Sequence, residues 1–255
     1  MLNMNPAQAS EKRMTAVICT AGVGKRLRPL TEEYPKGLVR VGEKTILEHV
    51  LDCCDNVGLH DVVLVVGHGK ERVRELVGGR YRQCRVSYVE NEAYATTNNI
   101  YSLWLARKYV EGGLVFFNGD IIFHPDVLER IYASEHEDSL IVDRTAILSD
   151  DAMKAHVAAG RVREVGKKLE RTPTGWAMGI YRLSERGAQK YFSIAESLFE
   201  KDERNKNISF VVPLHLMAEE VALRPIYIDH LPWAEIDTQE DLEHAHRNIH
   251  DIVRA

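Results

Sequence analysis

Apolar positions along this chain fall into short runs and helical faces that take turns. Ala16–Cys19 is an apolar run that predicts a strand. Ile46, Leu47, Val50, Leu51, Cys54 and Val57 recur on one helical face, and Gly58 ends it. Asp61–Val66 is a continuous, largely β-branched run, the pattern of a strand buried on both sides. Glu71–Val77 predicts a helix stopped by Gly78-Gly79, and Val86–Val89 a strand. Asn98–Val110 has helical spacing, and Leu114–Phe117 is a strand ending in Asn118-Gly119-Asp120.

This alternation predicts an α/β fold: a mostly parallel, Rossmann-like sheet with helices on both faces. Ligands of such sheets sit beyond the carboxyl ends of the strands. After a strand at Leu140–Asp143 the rhythm changes. Lys154–Val157 and Arg161–Val165 flank Ala158-Ala159-Gly160 and predict a hairpin, so a small β-rich subregion is expected here. Trp176–Leu183 predicts a strand, Arg186–Glu200 and Val211–Glu220 helices. Short strands at Pro225–Asp229 and Trp233–Asp237 precede a closing amphipathic helix over Glu240–Val253. No internal repeat stands out.

Composition narrows the function classes. The 255 residues carry a formal charge of −5, which argues against nucleic acid as the partner but leaves a small nucleotide open. No apolar run approaches the roughly 20 residues of a membrane span. Residues 1–13 lack the apolar centre of a signal peptide and read as a disordered lead-in. The four cysteines, Cys19, Cys53, Cys54 and Cys84, sit in apolar runs without zinc spacing. They read as reduced core residues of a cytoplasmic protein.

The most informative stretch follows the first strand: Ala21-Gly22-Val23-Gly24-Lys25-Arg26-Leu27-Arg28-Pro29-Leu30-Thr31, then Tyr34-Pro35-Lys36. Glycines let backbone N–H groups approach an anion, and Lys25, Arg26, Arg28 and Lys36 supply positive charge. A strand feeding such a turn suits a triphosphate; the plain alternative is a solvated basic loop. It is not a Walker loop, because Gly24-Lys25 is followed by Arg26 rather than Ser or Thr. It is not a dinucleotide fingerprint either, since Leu27 fills the place of a third small residue and Pro29 interrupts a helix.

The full string resembles the signature of the sugar-nucleotidyltransferases: a strand, Gly-x-Gly-x-Arg-Leu-x-Pro-Leu-Thr, then Pro-Lys. One departure precedes it, Cys19-Thr20 where that family usually has Leu-Ala. A second cluster, Glu90-Asn91-x-x-Tyr94-x-Thr96-Thr97-Asn98-Asn99-Ile100-Tyr101-Ser102-Leu103, leads from a strand into a helix. One cap needs one residue, and four short polar groups in a row exceed that. The cluster is similar to that of the cytidylyltransferases acting on phosphocholine and on aminoalkyl phosphonates. It lacks the Gln-x-x-Pro-x-Gly of sugar-1-phosphate enzymes.

On position alone Asp120 is a turn aspartate and Asp237 the N-cap of the last helix. The resemblance instead implies that both hold Mg²⁺, with the tail Glu235-Ile236-Asp237-Thr238 looking like the phosphocholine branch. It implies nucleotide contacts from Ala21, Gly22, Val23, Gly24, Lys25, Asn91, Thr97 and Asn98. Arg26 is expected to take the triphosphate end and the leaving pyrophosphate, and Lys36 to neutralise the α-phosphate. Asp143, Lys154 and Lys168 are the candidate acceptor residues, against the plain reading of hairpin lysines as solvated edge protection. An aromatic cage for a quaternary ammonium would draw on Trp176, Tyr181 and Trp233. The charged surroundings of Asp143 and Lys154 fit a phosphonate or cyclitol phosphate better. His244, His246 and His250 lie among charged residues and read as surface rather than as a zinc site.

The implied organisation is one nucleotidyltransferase domain over residues 14–255, with a nucleotide half to about residue 140 and an acceptor half beyond it. The implied reaction is Mg²⁺-dependent transfer of CMP from CTP to a small phosphorylated alcohol or phosphonate. Sugar-1-phosphate transfer from UTP, GTP or dTTP, or non-catalytic nucleotide sensing, are the alternatives. A homo-oligomer stays open.

Overall fold

A computed structural model describes residues 13–253; the expected lead-in therefore lies, but for Arg13, outside the described residues. The chain opens with β1 (Met14–Cys19), then passes through two 3₁₀ turns, Lys25–Leu27 and Lys36–Leu38. A two-strand ribbon, β2 (Arg40–Val41) and β3 (Lys44–Thr45), leads into α1 (Ile46–Asn56). There follow β4 (Asp61–Val66), α2 (Lys70–Val77), β5 (Arg80–Tyr81), β6 (Cys84–Glu90), α3 (Asn99–Ala106) and β7 (Gly113–Asn118). Next come β8 (Ile121–Phe123), α4 (Pro125–Tyr132), β9 (Ser139–Asp143), β10 (Lys154–Ala158), β11 (Arg161–Gly166) and β12 (Gly175–Leu183). The last elements are α5 (Glu185–Lys201), α6 (Val211–Met217), β13 (Arg224–Tyr227), β14 (Trp233–Glu235) and α7 (Gln239–Ile252).

A ten-stranded sheet organises them, in the order β11-β10-β12-β7-β1-β4-β6-β5, with β9 and β13 attached beside β12. β7, β1, β4 and β6 run parallel. β12 joins β7 antiparallel, so one continuous sheet carries both halves of the chain. The α/β, Rossmann-like expectation holds.

Alternation along the central strands builds the two faces. Ala16, Ile18, Val62 and Leu64 pack with Leu47, Leu51, Val73 and Val127 on one side. Val17, Val63, Val65 and Phe116 pack with Ile100, Leu103, Tyr191 and Leu214 on the other. Tyr181 belongs to this second core, stacked on Phe116 with centroids 4.7 Å apart. It therefore drops out of any aromatic cage. A third cluster joins Leu27, Val39, Val41, Ile122, Ile236, Leu242 and Ala245. It clamps the glycine loop, β8, β14 and α7 together beneath the strand ends.

Burial, then the nearby Asp52 and Glu129, push the Cys53 thiol up to about 12; all four cysteines are buried and unpaired. No helix among the described residues is long and apolar enough to cross a membrane.

Candidate active site

The site forms where β1 and β7 end together. Their register pairs Cys19 with Asn118, which sets Thr20 beside Gly119-Asp120. β8 turns back at once and pairs antiparallel with β14, matching Ile121 with Glu235. The Ile236 amide donates to the Asp120 carbonyl at 2.8 Å. Two acids 117 positions apart in sequence are thereby brought onto one spot. The N-cap of α7 is Thr238, in a capping box with Asp241. Asp237 is therefore not needed as the cap, and its carboxylate faces the cavity.

Lys36 bridges the two acids. Its ammonium donates to Asp120 Oδ2 at 2.8 Å and to Asp237 Oδ1. Arg26 Nη2 lies 2.6 Å from Asp237 Oδ2. Burial works against the Lys36 charge, but Asp120 and Asp237 outweigh it and hold the ammonium above its ordinary range. Burial likewise raises Asp237, and Lys36 with Arg26 overcome that and hold its carboxyl below the usual range. For Glu235 the pull of the Lys36 charge is not enough. Burial, then the charges of Asp120 and Asp237, push it up to about 8. Sequence reasoning passed over Glu235. The signal was the strand period, because residues two apart on an extended segment share a face, and Asp237 was already singled out.

The glycine loop closes the other side. Gly24 sits at φ 61°, a left-handed conformation that glycine takes without strain. Among the described residues, the amides of Gly22, Val23, Gly24, Lys25 and Arg26 donate to no protein acceptor. His68, also missed from sequence, holds this loop twice. Its amide donates to Ala21 O at 3.1 Å, and its ring Nε2 lies 3.1 Å from Thr31 O. A carbonyl only accepts, so Nε2 carries the proton. Buried Thr31 in turn donates to Gly24 O at 2.7 Å.

Together these groups line a cavity of about 390 Å³ that includes Gly22, Val23, Gly24, Lys25, Arg26, Lys36, Thr97, Asn98, Asp120 and Asp237. Tyr94, Asn99 and Asn118 join its wall, with Asn99 donating to Asn118 Oδ1 at 2.5 Å. A larger hollow, about 730 Å³, is lined by Leu30, Tyr34, Leu76 and Leu242. The converging charges are in the smaller one.

Ala21 and Asn91 stand outside the cavity lining. Ala21 is buried and lends its carbonyl to His68. Asn91 is buried behind the rim; it donates to Thr97 Oγ1 at 2.9 Å and Ser102 Oγ at 3.0 Å and accepts from the Ala93 amide. It orders the rim rather than facing the cavity. Asn98 caps α3 through its side chain and takes its own amide to Lys206 O.

Asp143 and Lys154 lie on the strands either side of Trp176, each paired with it in register, but their side chains are already engaged. Asp143 is buried, and its carboxylate accepts from Thr145, Ala146 and Trp233 Nε1. It holds the loop after β9, with both oxygens already accepting from the protein. Lys154 caps the carbonyls of Asp150, Ala152 and Lys167. Lys168 is exposed and outside the cavity lining. Trp176 and Trp233 do meet, edge to face with centroids 5.3 Å apart. Among the described residues no group of three or more His, Cys, Asp or Glu side chains is placed to hold a metal ion.

Comparison with known proteins identifies the family. The MobA-like NTP transferase domain matches residues 16–184. The chain is 41% identical over 129 residues to the CMP-5'-(3-aminopropyl)phosphonate synthase of Streptomyces rubellomurinus, covering 51% of this chain and 20% of that protein. It is 31% identical over 145 residues to the choline-phosphate cytidylyltransferase of Streptococcus pneumoniae, covering 54% and 60% respectively. The matches thus span less than two thirds of these relatives' own lengths. The inositol-1-phosphate CTP transferase from T. maritima superposes with a TM-score of 0.75 at 24% identity, over 94% of this chain and 98% of that one, which shows the shared fold. The resemblance to the phosphocholine and phosphonate branch, read from the loop and the 91–103 cluster, is borne out by these relatives. The chain belongs to the MobA-like NTP transferase domain family, and its fold is that of a nucleotidyltransferase.

Proposed function

We propose that this chain transfers CMP from CTP to a small phosphate- or phosphonate-bearing acceptor and releases pyrophosphate. One observation carries the reading: Lys36 and Arg26 converge on Asp120 and Asp237 beside a row of unengaged loop amides, within one cavity. The relatives that act on phosphonate and phosphocholine support the CTP choice.

The bond balance is simple. An anionic acceptor oxygen forms a bond to the α-phosphorus, and the bond from that phosphorus to the pyrophosphate oxygen breaks. The electron pair leaves with pyrophosphate, and no proton must move. The barrier lies in bringing two anions together and in charge growing on the transferring group, so positioning and electrostatics supply the catalysis. The loop amides with Lys25 and Arg26 hold the β- and γ-phosphates and then the leaving group. Lys36 neutralises the α-phosphate as the acceptor arrives. Asn98, Thr97 and Tyr94 line the nucleoside side.

Mg²⁺ fits the donor set. Two carboxylates already converge on one cationic point, and Asp120 Oδ1 is buried without a protein partner. Asp120 and Asp237 would hold the ion. When bound, it supplies charge neutralisation at the phosphate oxygens.

We read the Trp176–Trp233 pair, which meets edge to face, as the acceptor side rather than the hairpin lysines. Measuring pyrophosphate release with CTP, UTP, GTP and dTTP against phosphonates, phosphocholine and inositol phosphate tests the reading. CTP with one acceptor class is expected to dominate. A faster rate with UTP or dTTP and a sugar 1-phosphate contradicts it.

A further inference from the structure

Thr20 is the first residue past β1 and lines the catalytic cavity. Its backbone amide is satisfied by Val65 O at 2.9 Å. Its side chain is another matter. The residue is only 4% exposed, and among the described residues Oγ1 meets no hydrogen-bond partner. A buried hydroxyl without a partner costs stability, whereas valine would fill the same shape with no such penalty. Alanine, the residue usual at this place in the family the loop resembles, would also avoid it.

The neighbourhood shows that this hydroxyl has been given room. A Cβ on Gly37 would lie 2.5 Å from Thr20 Oγ1, so only glycine at the Lys36 turn lets the hydroxyl sit there. On its other side Thr20 packs against Gly119, next to Asp120. Asp120 Oδ1 is the other cavity-wall oxygen that is buried and unpartnered. The groups around them, Lys36, Arg26 and Asp237, are all engaged with one another. The hydroxyl is thus an uncommitted side-chain donor on this part of the wall.

We propose that the Thr20 hydroxyl is a substrate-binding group, donating a hydrogen bond to a phosphate or ribose oxygen of the nucleoside triphosphate, and that the free protein carries it at a cost in stability. This rests on reading the cavity as the nucleotide site. The same hydroxyl cannot be explained by packing, because a methyl would pack as well.

The test compares wild type with Thr20→Val and Thr20→Ser, by thermal melting without ligand and by calorimetry with CTP, UTP, GTP and ATP. Wild-type binding identifies the nucleotide and tests the site reading by itself; the variants test Thr20. Thr20→Val is expected to melt at or above the wild-type temperature and to bind that nucleotide roughly tenfold more weakly. Thr20→Ser, which keeps the hydroxyl, is expected to stay within about threefold of wild type. Inorganic tripolyphosphate separates the two oxygen sources. If its affinity also falls in Thr20→Val the contact is to phosphate, and if only the nucleotide's falls it is to ribose. Should Thr20→Val fold poorly, Thr20→Ala gives the same affinity comparison. Unchanged affinity in the variants overturns the proposal. So does a lower melting temperature with wild-type affinity, which would make the hydroxyl a purely structural group. If wild type binds none of the four nucleotides, the proposal falls with the site.

Discussion

Replacing Glu235 by Gln should make the protein less sensitive to rising pH. Glu235 lies beside Asp120 and Asp237, and burial followed by those two charges lifts its carboxyl from an ordinary 4.5 to about 8. The folded protein therefore keeps a proton that the unfolded chain has released. Stability from this group is complete below the unfolded value and is lost as pH climbs through the folded one. Each pH step of one inside that gap removes about 1.4 kcal/mol. From about pH 5 to about pH 8 the loss is on the order of 4 kcal/mol, reduced toward about 2 kcal/mol where solvent reaches the carboxyl. Glutamine keeps the shape and the neutral hydrogen bonding but cannot ionise. Urea unfolding of both proteins, followed by tryptophan fluorescence in the presence of a chelator, measures the difference directly. The two should be nearly equal at about pH 5, with the variant gaining about 2–4 kcal/mol over wild type by about pH 8. A difference that stays constant across this range refutes the placement of Glu235 in the acidic cluster.

Asp120→Ala and Asp237→Ala should each abolish turnover while leaving the circular dichroism spectrum unchanged. Thr238 rather than Asp237 caps α7, so loss of fold in Asp237→Ala would restore the helix-cap reading. Lys36→Ala should lower turnover about a hundred- to a thousandfold, or about 3–4 kcal/mol of barrier, while CTP affinity falls much less. Calorimetry beside steady-state rates checks it, and equal losses would make Lys36 a uniform binding residue. Lys36→Arg should rescue only partly, since a planar fork replaces a point charge poorly between two carboxylates.

What could be read in the sequence was whatever is local or periodic. The strand at Asp61–Val66 came out with the bounds the structure shows, because a β-branched run buried on both faces has few other readings. The glycine loop was legible for its spelling. β8 and α4 were missed. A three-residue strand has no period to detect, and the eight-residue helix after Pro125 is short, although proline at its first turn and Val127, Leu128 and Ile131 on one face were there to see. The predicted helix over Asn98–Val110 ends at Ala106 and tightens into a 3₁₀ turn. Burial direction was the harder matter. Tyr181 and Asp143 looked like a ligand aromatic and a ligand acid, yet β12 and β9 turn both into the fold. A sequence names polar residues but does not show which already have partners. The same limit concealed the interest of Thr20, whose hydroxyl lacks one.

The central claim is that the Lys36, Asp120 and Asp237 cluster serves direct nucleotidyl transfer from CTP. It is tested most directly by phosphorus NMR of the intact protein with CTP, Mg²⁺ and a phosphonate or phosphocholine acceptor. The account predicts a new P–O–P anhydride joining CMP to the acceptor, pyrophosphate in equal amount, neither product when the acceptor is left out, and formation slowed about a hundred- to a thousandfold in Lys36→Ala. Hydrolysis of CTP to CMP without a joined product, or transfer undiminished in Lys36→Ala, would contradict it.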